Sequence, residues 1–331
     1  MPAYSYAIPL RTRFRGITVR EGVVIHGPHG WGEFSPFPEY GIEGSARWLA
    51  ACREAIDDGW PAPVRASVPV NVTVPAVGPA QAQAIVHRSG GCRTAKVKVA
   101  EPGQTIGDDL DRLAAVRDAL GPGGAVRVDA NGSWGVDQAV WMIRLLDRVG
   151  LQYVEQPCRT LAEMAAVRRQ VDVPIAADEG VRHAVDPTRI AGLRAAADIV
   201  VLKVQPLGGV RQALRVAEAA GLPAVVSSAL ETSVGIAAGV ALAAALPELP
   251  YACGLATVQL LADDLVTDPL LPVDGEIPVR RPSIDAVRLT RCVPADPART
   301  RWWLRRIAFT HTEMVRTAEA ALERDGERAC R

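Results

Sequence analysis

Short apolar runs recur at regular intervals through the middle of this chain, and five consecutive runs end in a charged residue. These residues are Lys98, Asp129, Glu155, Asp178 and Lys203, and the intervals between them are 31, 26, 23 and 25 residues. Such an interval accommodates one strand, one helix and their two loops. If the strands run parallel and close into a barrel, their carboxyl ends surround one mouth. The spacing therefore predicts that three carboxylates and two lysines meet at a single site.

Eight strand-like runs in all lie within residues 69–256, and most are separated by segments with helical periodicity. The runs cover residues 69–77, 94–99, 125–130, 151–156, 173–178, 199–204, 223–228 and 251–256. The intervening segments, such as 106–120 and 136–149, place apolar residues three and four positions apart. This alternation predicts an α/β fold of the (β/α)8 TIM-barrel type, and an open doubly wound sheet is the competing architecture.

The first part of the chain does not follow this alternation. Residues 16–34 alternate β-forming residues with glycines, which is typical of a small antiparallel sheet with tight turns. The proline-rich stretch 60–69 then indicates a junction between two domains. Near the C-terminus, residues 298–326 have the pattern of a long amphipathic helix with many arginines.

The composition excludes several classes of partner. Lys and Arg together number 37, as do Asp and Glu, so the net charge is zero and gives no overall attraction to nucleic acid or membrane. No apolar stretch approaches the roughly 18 to 20 residues needed to cross a bilayer. The six cysteines are scattered without metal-binding spacing. We expect a cytoplasmic protein with reduced cysteines and a small-molecule carboxylate substrate, and the sequence leaves the oligomeric state open.

Strand parity decides which polar neighbours share the barrel interior with the five charged residues. Successive residues of a strand point to opposite faces. The polar neighbours that share a face with the charged residues of their own strands are Lys96, Arg127, Asn131, Tyr153 and Gln205. Asp178 and Glu179 lie on opposite faces by the same rule, so only one of them can join the site.

The residue types at the predicted site indicate proton abstraction next to a carboxylate. Three carboxylates without a histidine or cysteine form an all-oxygen site, which suits Mg²⁺ better than zinc. The ordinary pKa of a lysine is about 10.4. The ammonium of Lys96 and a divalent ion would lower the pKa of Lys98 toward the range of a useful base. A metal that binds the substrate carboxylate stabilises the enediolate formed when the α-proton leaves.

The motifs around these residues resemble a known family. TAKVKV, VDANGSW, YVEQP, AADEG and VVLKVQPLGG are similar to segments of the muconate-lactonizing subgroup of the enolase superfamily. Enzymes of that superfamily use lysine or histidine bases together with Mg²⁺. The resemblance implies Lys98 as the general base, Lys203 as the opposite lysine, and Asp129, Glu155 and Asp178 as ligands of Mg²⁺, with Mn²⁺ as an alternative ion.

The same resemblance extends to both ends of the chain. The segment WGEFSPFPEYG at 31–41 is similar to the start of that family's capping domain. It implies an α+β capping domain from residues 1–68 and a barrel over 69–269. It also implies a C-terminal segment, 270–331, that returns to pack against the cap.

Within the subgroup, VVSSALETSVGIA at 225–237 resembles the segment with which a dehydratase receives the tail of its substrate. The implied substrate contacts are Ser228, the helix-start amides around Thr232, and Gly254. The implied reaction is the loss of water from a cyclohexadiene carboxylate, which aromatises the ring. The residues expected to support the site from behind are Lys96, Arg127, Asn131 and Glu179.

Three other functions remain open at the level of the sequence. Racemisation of an N-acylamino acid needs the same metal and uses Lys98 and Lys203 as bases on opposite faces. A Schiff-base aldolase would use Lys203 as a nucleophile, although it leaves the three carboxylates unexplained. A barrel that only binds ligands is the third, because each carboxylate taken alone has a structural explanation such as a turn or an ion pair.

Overall fold

The structure is a computed structural model that describes residues 2–329, apart from the side chains of residues 318 and 320–329. Cys330 lies outside the described residues. Each of the other five cysteines is buried and has a free thiol. Among the described residues, no helix is both long enough and apolar enough to span a membrane.

The N-terminal part forms a three-stranded antiparallel sheet followed by a helix. Its elements are β1 (Ala3–Phe14), β2 (Ile17–Gly27), β3 (Gly30–Phe34) and α1 (Ile42–Arg53), and a π-helical turn, Glu54–Asp58, continues α1. The turn between β1 and β2 places Arg15 and Gly16 at φ angles of 50° and 78°, the left-handed region that tight turns require. The antiparallel sheet predicted from the glycine pattern is therefore confirmed.

A short strand, β4 (Ser67–Pro69), leads into a parallel sheet of seven strands in sequential order. These are β5 (Val72–Val74), β6 (Thr94–Lys98), β7 (Ala125–Asp129), β8 (Leu151–Glu155), β9 (Ile175–Ala177), β10 (Ile199–Leu202) and β11 (Ala224–Val226). Each strand coincides with one of the predicted runs.

The eighth predicted run closes the sheet into a ring through single-residue bridges. Cys253 bridges to Val70, just before β5, and Gly254 bridges to Ser227, just after β11. The backbone N–H of Gly254 donates to the carbonyl of Val226 at 2.8 Å. The eighth run therefore pairs with the chain next to β5 and with the chain next to β11, which closes the barrel. The predicted (β/α)8-type barrel is confirmed, and the competing open doubly wound sheet is wrong.

The helices of the barrel lie between successive strands. They are α2 (Pro79–His87), α3 (Ile106–Leu120), α4 (Val136–Leu146), α5 (Leu161–Arg168), α6 (Glu179–Arg182), α7 (Leu193–Ala196), α8 (Val204–Leu207), α9 (Val210–Ala220) and α10 (Ser233–Ala245), with 3-10 turns at Asp147–Val149 and Ala256–Leu260. Capping boxes begin two of them, and the Thr105 and Thr160 hydroxyls accept from the backbone N–H three residues later. Each such reciprocal pair fixes where the helix leaves the preceding loop.

The strands bury apolar residues against the helices and turn charged residues to the interior. In β6, Ala95 and Val97 belong to the apolar core, whereas Lys96 and Lys98 take the other face. In β7, Val126 and Val128 belong to the same core. The predicted alternation of side chains between the two faces of the strand is thus present in the strands that carry the site.

The C-terminal part returns to the N-terminal sheet. Strand β12 (Glu276–Pro278) pairs antiparallel with β4, and α11 (Ala286–Arg291) and α12 (Pro297–Ala329) follow. Helix α12 packs on α1, β1 and β2, and its buried Trp303 meets the Phe34 ring edge to face at 6.3 Å. We call β1 to β3, α1 and α12 the cap. The domain boundaries at residues 68 and 269 stay a prediction.

Candidate active site

The five charged residues at the strand ends lie side by side at one mouth of the barrel. Lys98 and Asp129 are register partners on β6 and β7, and Asp129 and Glu155 are partners on β7 and β8. Asp178 and Lys203 directly follow β9 and β10. Each of these side chains is at most 8% exposed. The parallel order of the strands therefore brings together residues that are up to 105 positions apart.

Every carboxylate at this mouth is paired with a lysine. The Nζ atom of Lys98 lies 2.5 Å from Oδ2 of Asp129. The Nζ atom of Lys203 lies 2.5 Å from Oδ2 of Asp178. Lys96 donates to both oxygens of Glu155, at 3.1 and 2.9 Å. Because buried charges are tolerated only when they are paired, the three lysines and three carboxylates form one balanced cluster.

The lysines act differently on the carboxylates that they contact. Burial by itself favours the neutral form of Asp129, but the ammonium groups of Lys98 and Lys96 outweigh it and hold the pKa of Asp129 below its ordinary value. Glu155 responds in the opposite direction. Burial and the negative charge of Asp129 raise the pKa of Glu155 to about 7, even though Lys96 opposes them.

The lysines themselves are shifted by the same cluster. Burial lowers the pKa of Lys203, and Asp178 only partly offsets this. Burial also acts against the charged form of Lys96, but Glu155 and Asp129 outweigh it and raise the pKa of Lys96. Lys96 therefore holds its proton more firmly than an exposed lysine, whereas Lys203 gives up its proton more readily than an exposed lysine.

The carboxylates have the chemistry of a site for a hard divalent cation. Among the side chains that the structure describes, no three acidic, histidine or cysteine groups already surround a common point, because the carboxylates turn toward the lysines. However, Oδ1 of Asp178 is buried and accepts no hydrogen bond, although Nε of Arg182 lies 3.3 Å away, and the charges of Asp129 and Asp178 both disfavour ionised Glu155. A cation among these oxygens would relieve that repulsion, so the donor set fits a divalent metal.

Asn131 and Glu179 support the cluster from one side. Oδ1 of Asn131 accepts from Lys98 Nζ at 2.6 Å, and the Asn131 backbone N–H donates to Oδ1 of Asp129 at 3.0 Å. Oε1 of Glu179 accepts from Nδ2 of Asn131 at 3.1 Å. Strand β9 ends at Ala177, so strand parity no longer applies at Glu179, which begins α6 and lies behind Asn131.

Arg127 lies in the barrel interior but away from the carboxylates. Its guanidinium donates to the Tyr153 hydroxyl at 2.9 Å, to the Ala252 carbonyl at 2.8 Å and to Oε1 of Gln152 at 2.6 Å. Arg127 lies two positions before Asp129 on β7, which is about 6 to 7 Å along a strand. Arg127 thus fills the layer of the barrel interior below the carboxylates, and its expected role in supporting the site from behind stays a prediction.

A narrow cavity beside the cluster has a wall of hydroxyl groups. It is lined by Lys96, Lys98, Asp129, Asn131, Lys203, Ser227, Ser228, Gly254 and Thr257, among others. The hydroxyls of Ser228 and Thr257 lie 2.7 Å apart. A Cβ atom at Gly254 would lie 2.7 Å from Oγ of Ser227, so only glycine leaves room there. Ser228 and Gly254 therefore line the same cavity as the lysines.

Thr232 does not face this cavity, which corrects the expected role of the helix-start amides. Its hydroxyl donates to Oε2 of Glu33 at 2.5 Å, and the backbone N–H groups of Thr232 and Gly235 donate to the same carboxylate. The N–H of Ser233 donates to Asp264. A helix N-terminus attracts an anion, and here the protein supplies its own carboxylates for α10.

Three residues that line the cavity carried no prediction from the sequence. They are Phe14 and Phe37 of the cap side and Thr73 of β5. Thr73 alternates with Val72 and Val74, so parity could have placed it in the barrel interior. The cap residues carried no such signal, because their position depends on how the cap docks.

Two family models and several solved structures match this fold. Residues 79–283 match the model described as enolase C-terminal domain-like, and residues 5–56 match the one described as enolase N-terminal domain-like. Muconate lactonizing enzyme from Pseudomonas putida superposes with a TM-score of 0.73 at 21% identity, covering 88% of this chain and 98% of that one. The L-Ala-D/L-Glu epimerase from Bacillus subtilis has a TM-score of 0.72 at 23% identity, covering 85% and 96%.

Similar curated proteins narrow the relationship. The o-succinylbenzoate synthase of Thermobifida fusca is 66% identical over 308 residues, which are 93% of this chain and 95% of that protein. The o-succinylbenzoate synthase of Mycobacterium tuberculosis (strain ATCC 25618 / H37Rv) is 51% identical over 94% of each chain. This chain belongs to the enolase superfamily, and within it to the family of the o-succinylbenzoate synthases. The resemblance drawn from the strand-end motifs is thereby confirmed, and membership implies a divalent metal ion.

Proposed function

We propose that this chain is a hydro-lyase that converts 2-succinyl-6-hydroxy-2,4-cyclohexadiene-1-carboxylate to o-succinylbenzoate, a step of menaquinone biosynthesis. The observation that carries the proposal is the pairing of two buried lysines with carboxylates at one barrel mouth, Lys98 with Asp129 and Lys203 with Asp178. This arrangement occurs in a chain that matches a synthase along 93% of its length. A cytoplasmic location stays a prediction.

In this proposal Lys98 is the general base. Its amine removes the proton from the ring carbon next to the carboxylate, and the electrons of that C–H bond enter the ring. The ammonium of Lys98 then returns the proton to the hydroxyl group as the C–O bond breaks, so that water leaves and the ring becomes aromatic. The contacts with Asp129 and Asn131, at 2.5 and 2.6 Å, hold the amine in place for both transfers.

Lys203 would supply a cation on the opposite side of the ring. It lies between β10 and α8, four strands away from β6, which carries Lys98, and Asp178 holds it at 2.5 Å. An ammonium over the face of a conjugated ring is attracted by the π electrons, and it stabilises negative charge that spreads into that ring. Dehydration needs only Lys98 to move protons, so Lys203 has an electrostatic role.

The proposed ligands of the metal are Asp129, Glu155 and Asp178. Their oxygen donors suit Mg²⁺, with Mn²⁺ as an alternative. When bound, the ion would supply positive charge to the substrate carboxylate while the α-proton leaves. Lys96 would remain the counter-ion of Glu155, as its contacts at 2.9 and 3.1 Å indicate.

The hydroxyl wall would receive the succinyl tail. Ser228 and Thr257 offer two hydroxyls that now bond to each other, and Gly254 lines the same cavity beside them. These groups can donate hydrogen bonds to a carboxylate or a ketone. Ser228 and Gly254 are thus kept as proposed substrate contacts, whereas Thr232 is not.

Racemisation of N-succinylamino acids is the second candidate, because the two lysine–carboxylate pairs have the same 2.5 Å separation and could both move protons. The test is a side-by-side assay of the purified Mg²⁺-loaded protein with the cyclohexadiene substrate and with N-succinylamino acids. We expect a much higher kcat/KM for dehydration. Efficient racemisation without dehydration would overturn the proposed reaction.

A further inference from the structure

We infer that Arg182 is a positioning residue that connects the cap to both lysines of the site. Arg182 ends the short helix α6, and its side chain is 3% exposed. Nη2 donates to Oε1 of Glu179 at 2.7 Å, Nη1 donates to the hydroxyl of Tyr40, and Nε lies 3.3 Å from Oδ1 of Asp178. One guanidinium thus contacts two acids of the barrel and one residue that enters the cap.

Two branches lead from Arg182 to the proposed catalytic amines. The first passes through Asp178, whose other carboxylate oxygen holds Lys203 at 2.5 Å. The second passes through Glu179 to Asn131, at 3.1 Å, and from Asn131 to Lys98, at 2.6 Å. Because a guanidinium is planar and its donors have a fixed geometry, a shift of Arg182 would move both branches together.

Tyr40 holds the outer end of this network. It precedes α1, and its ring packs edge to face on Trp48 of that helix at 5.3 Å. Its hydroxyl accepts from Arg182 and also lies 3.1 Å from Nε2 of His183. The position of the cap is therefore transmitted to Arg182 through one side chain that is anchored in the cap.

A second cap arginine contacts the same barrel segment without joining the network. Arg47 of α1 donates to the backbone carbonyls of Arg182, Ala184 and Val185, at 3.4, 3.0 and 2.6 Å. It makes no hydrogen bond to the side chains of the network within the described residues. Arg47 thus helps to dock the cap on the segment after β9. A substitution of Arg47 therefore shows what the loss of a docking contact alone does to catalysis.

The inference rests on the proposed function, and a set of four variants tests it. Arg182→Met removes the guanidinium, Arg182→Lys keeps its charge, Tyr40→Phe removes one hydroxyl, and Arg47→Met is the matched control. Loss of a partner that orients catalytic groups typically costs about 10- to 100-fold. We expect Arg182→Met to lower kcat by that factor with KM changed less than about threefold, and Arg182→Lys to recover part of the loss.

The Tyr40→Phe and Arg47→Met variants should change catalysis less than Arg182→Met does. Tyr40→Phe should lower kcat by about 3- to 10-fold, while Arg47→Met should keep kcat within about twofold of the parent protein. Circular dichroism and thermal melting verify folding, and Tyr40→Phe and Arg182→Lys serve if Arg182→Met fails to fold. Equal losses in Arg47→Met and Arg182→Met, or parental kcat in Arg182→Met, would overturn the inference.

Crystal structures of the Arg182 and Tyr40 variants provide a readout that does not depend on the reaction. We expect Asn131 to move away from Lys98, or Asp178 from Lys203, by more than about 0.5 Å, the tolerance of a catalytic constellation. Unchanged distances in the Arg182 variants would overturn the inference even if the parent protein dehydrates the substrate. An inactive parent protein with displaced side chains in the variants would instead count against the proposed function alone.

Discussion

The ammonium of Lys98 lies 2.5 Å from the carboxylate of Asp129, its register partner on the neighbouring strand. Both side chains are almost fully buried, at 8% and 2% exposure. Removing one charge of a buried pair leaves the other without compensation, which is costly. The proposed base and a proposed metal ligand therefore depend on each other for their stability.

Replacement of Lys98 by alanine tests the base directly. We expect Lys98→Ala to lose dehydration activity by at least about 10²- to 10⁴-fold, the usual contribution of a general base. Steady-state kinetics with the cyclohexadiene substrate measures the loss, and circular dichroism checks that the barrel still folds. Normal turnover by a folded Lys98→Ala protein would contradict the assignment of the base.

Replacement of Lys203 separates an electrostatic role from a covalent one. Lys203→Ala should abolish turnover, because it removes the cation proposed to face the ring from the other side. Borohydride treatment of the parent protein with substrate should give no adduct on Lys203, as detected by mass spectrometry. A trapped adduct at Lys203 would favour the Schiff-base aldolase instead.

Removal of the metal should abolish activity reversibly. EDTA should remove turnover and added Mg²⁺ should restore it, since three oxygen ligands on adjacent strands form the proposed site. Titration calorimetry should show at least about 10-fold weaker Mg²⁺ binding by Asp178→Asn, since loss of even an outer-shell partner of a metal costs that much, while the exposed Asp186→Asn binds normally. Full activity in metal-free buffer would rule out the metal-assisted reaction.

The buried Glu231 should make the folding stability depend on pH. Burial and the nearby charge of Glu33 raise the pKa of Glu231 from 4.5 to about 7. The folded state therefore binds this proton more tightly than the unfolded state does. The resulting stability, roughly 3 kcal/mol, is present below about pH 4.5 and is lost as the pH rises to about 7.

Glu231→Gln provides the check on that pH dependence. Its free energy of unfolding, measured in urea between pH 5 and 8, should fall less steeply with rising pH than that of the parent protein. The exposed Glu39→Gln is the control and should keep the parental slope. Identical slopes for Glu231→Gln and the parent protein would show that Glu231 titrates normally.

The order of strands and helices along the chain could be predicted, because the periodicity of a strand or a helix depends on residues that are close in sequence. The alternation of Lys96, Val97 and Lys98 places the two lysines on one face of β6 whatever surrounds the strand. The similar intervals between strand ends then place Asp129, Glu155 and Asp178 around one mouth of the barrel, since the carboxyl ends of parallel strands lie at the same end of the barrel. The family resemblance rests on these residues.

Tertiary structure alone decided the contacts that join distant or irregular segments. No sequence periodicity links Tyr40 to Arg182, and none places the carboxylate of Glu33 on β3 at the backbone N–H of Thr232. Arg127 shares the parity of Asp129 but lies one layer lower. Parity fixes the face on which a side chain lies. The depth of that side chain in the barrel and its contacts with the cap depend on how distant segments pack together, and the local sequence does not determine that packing.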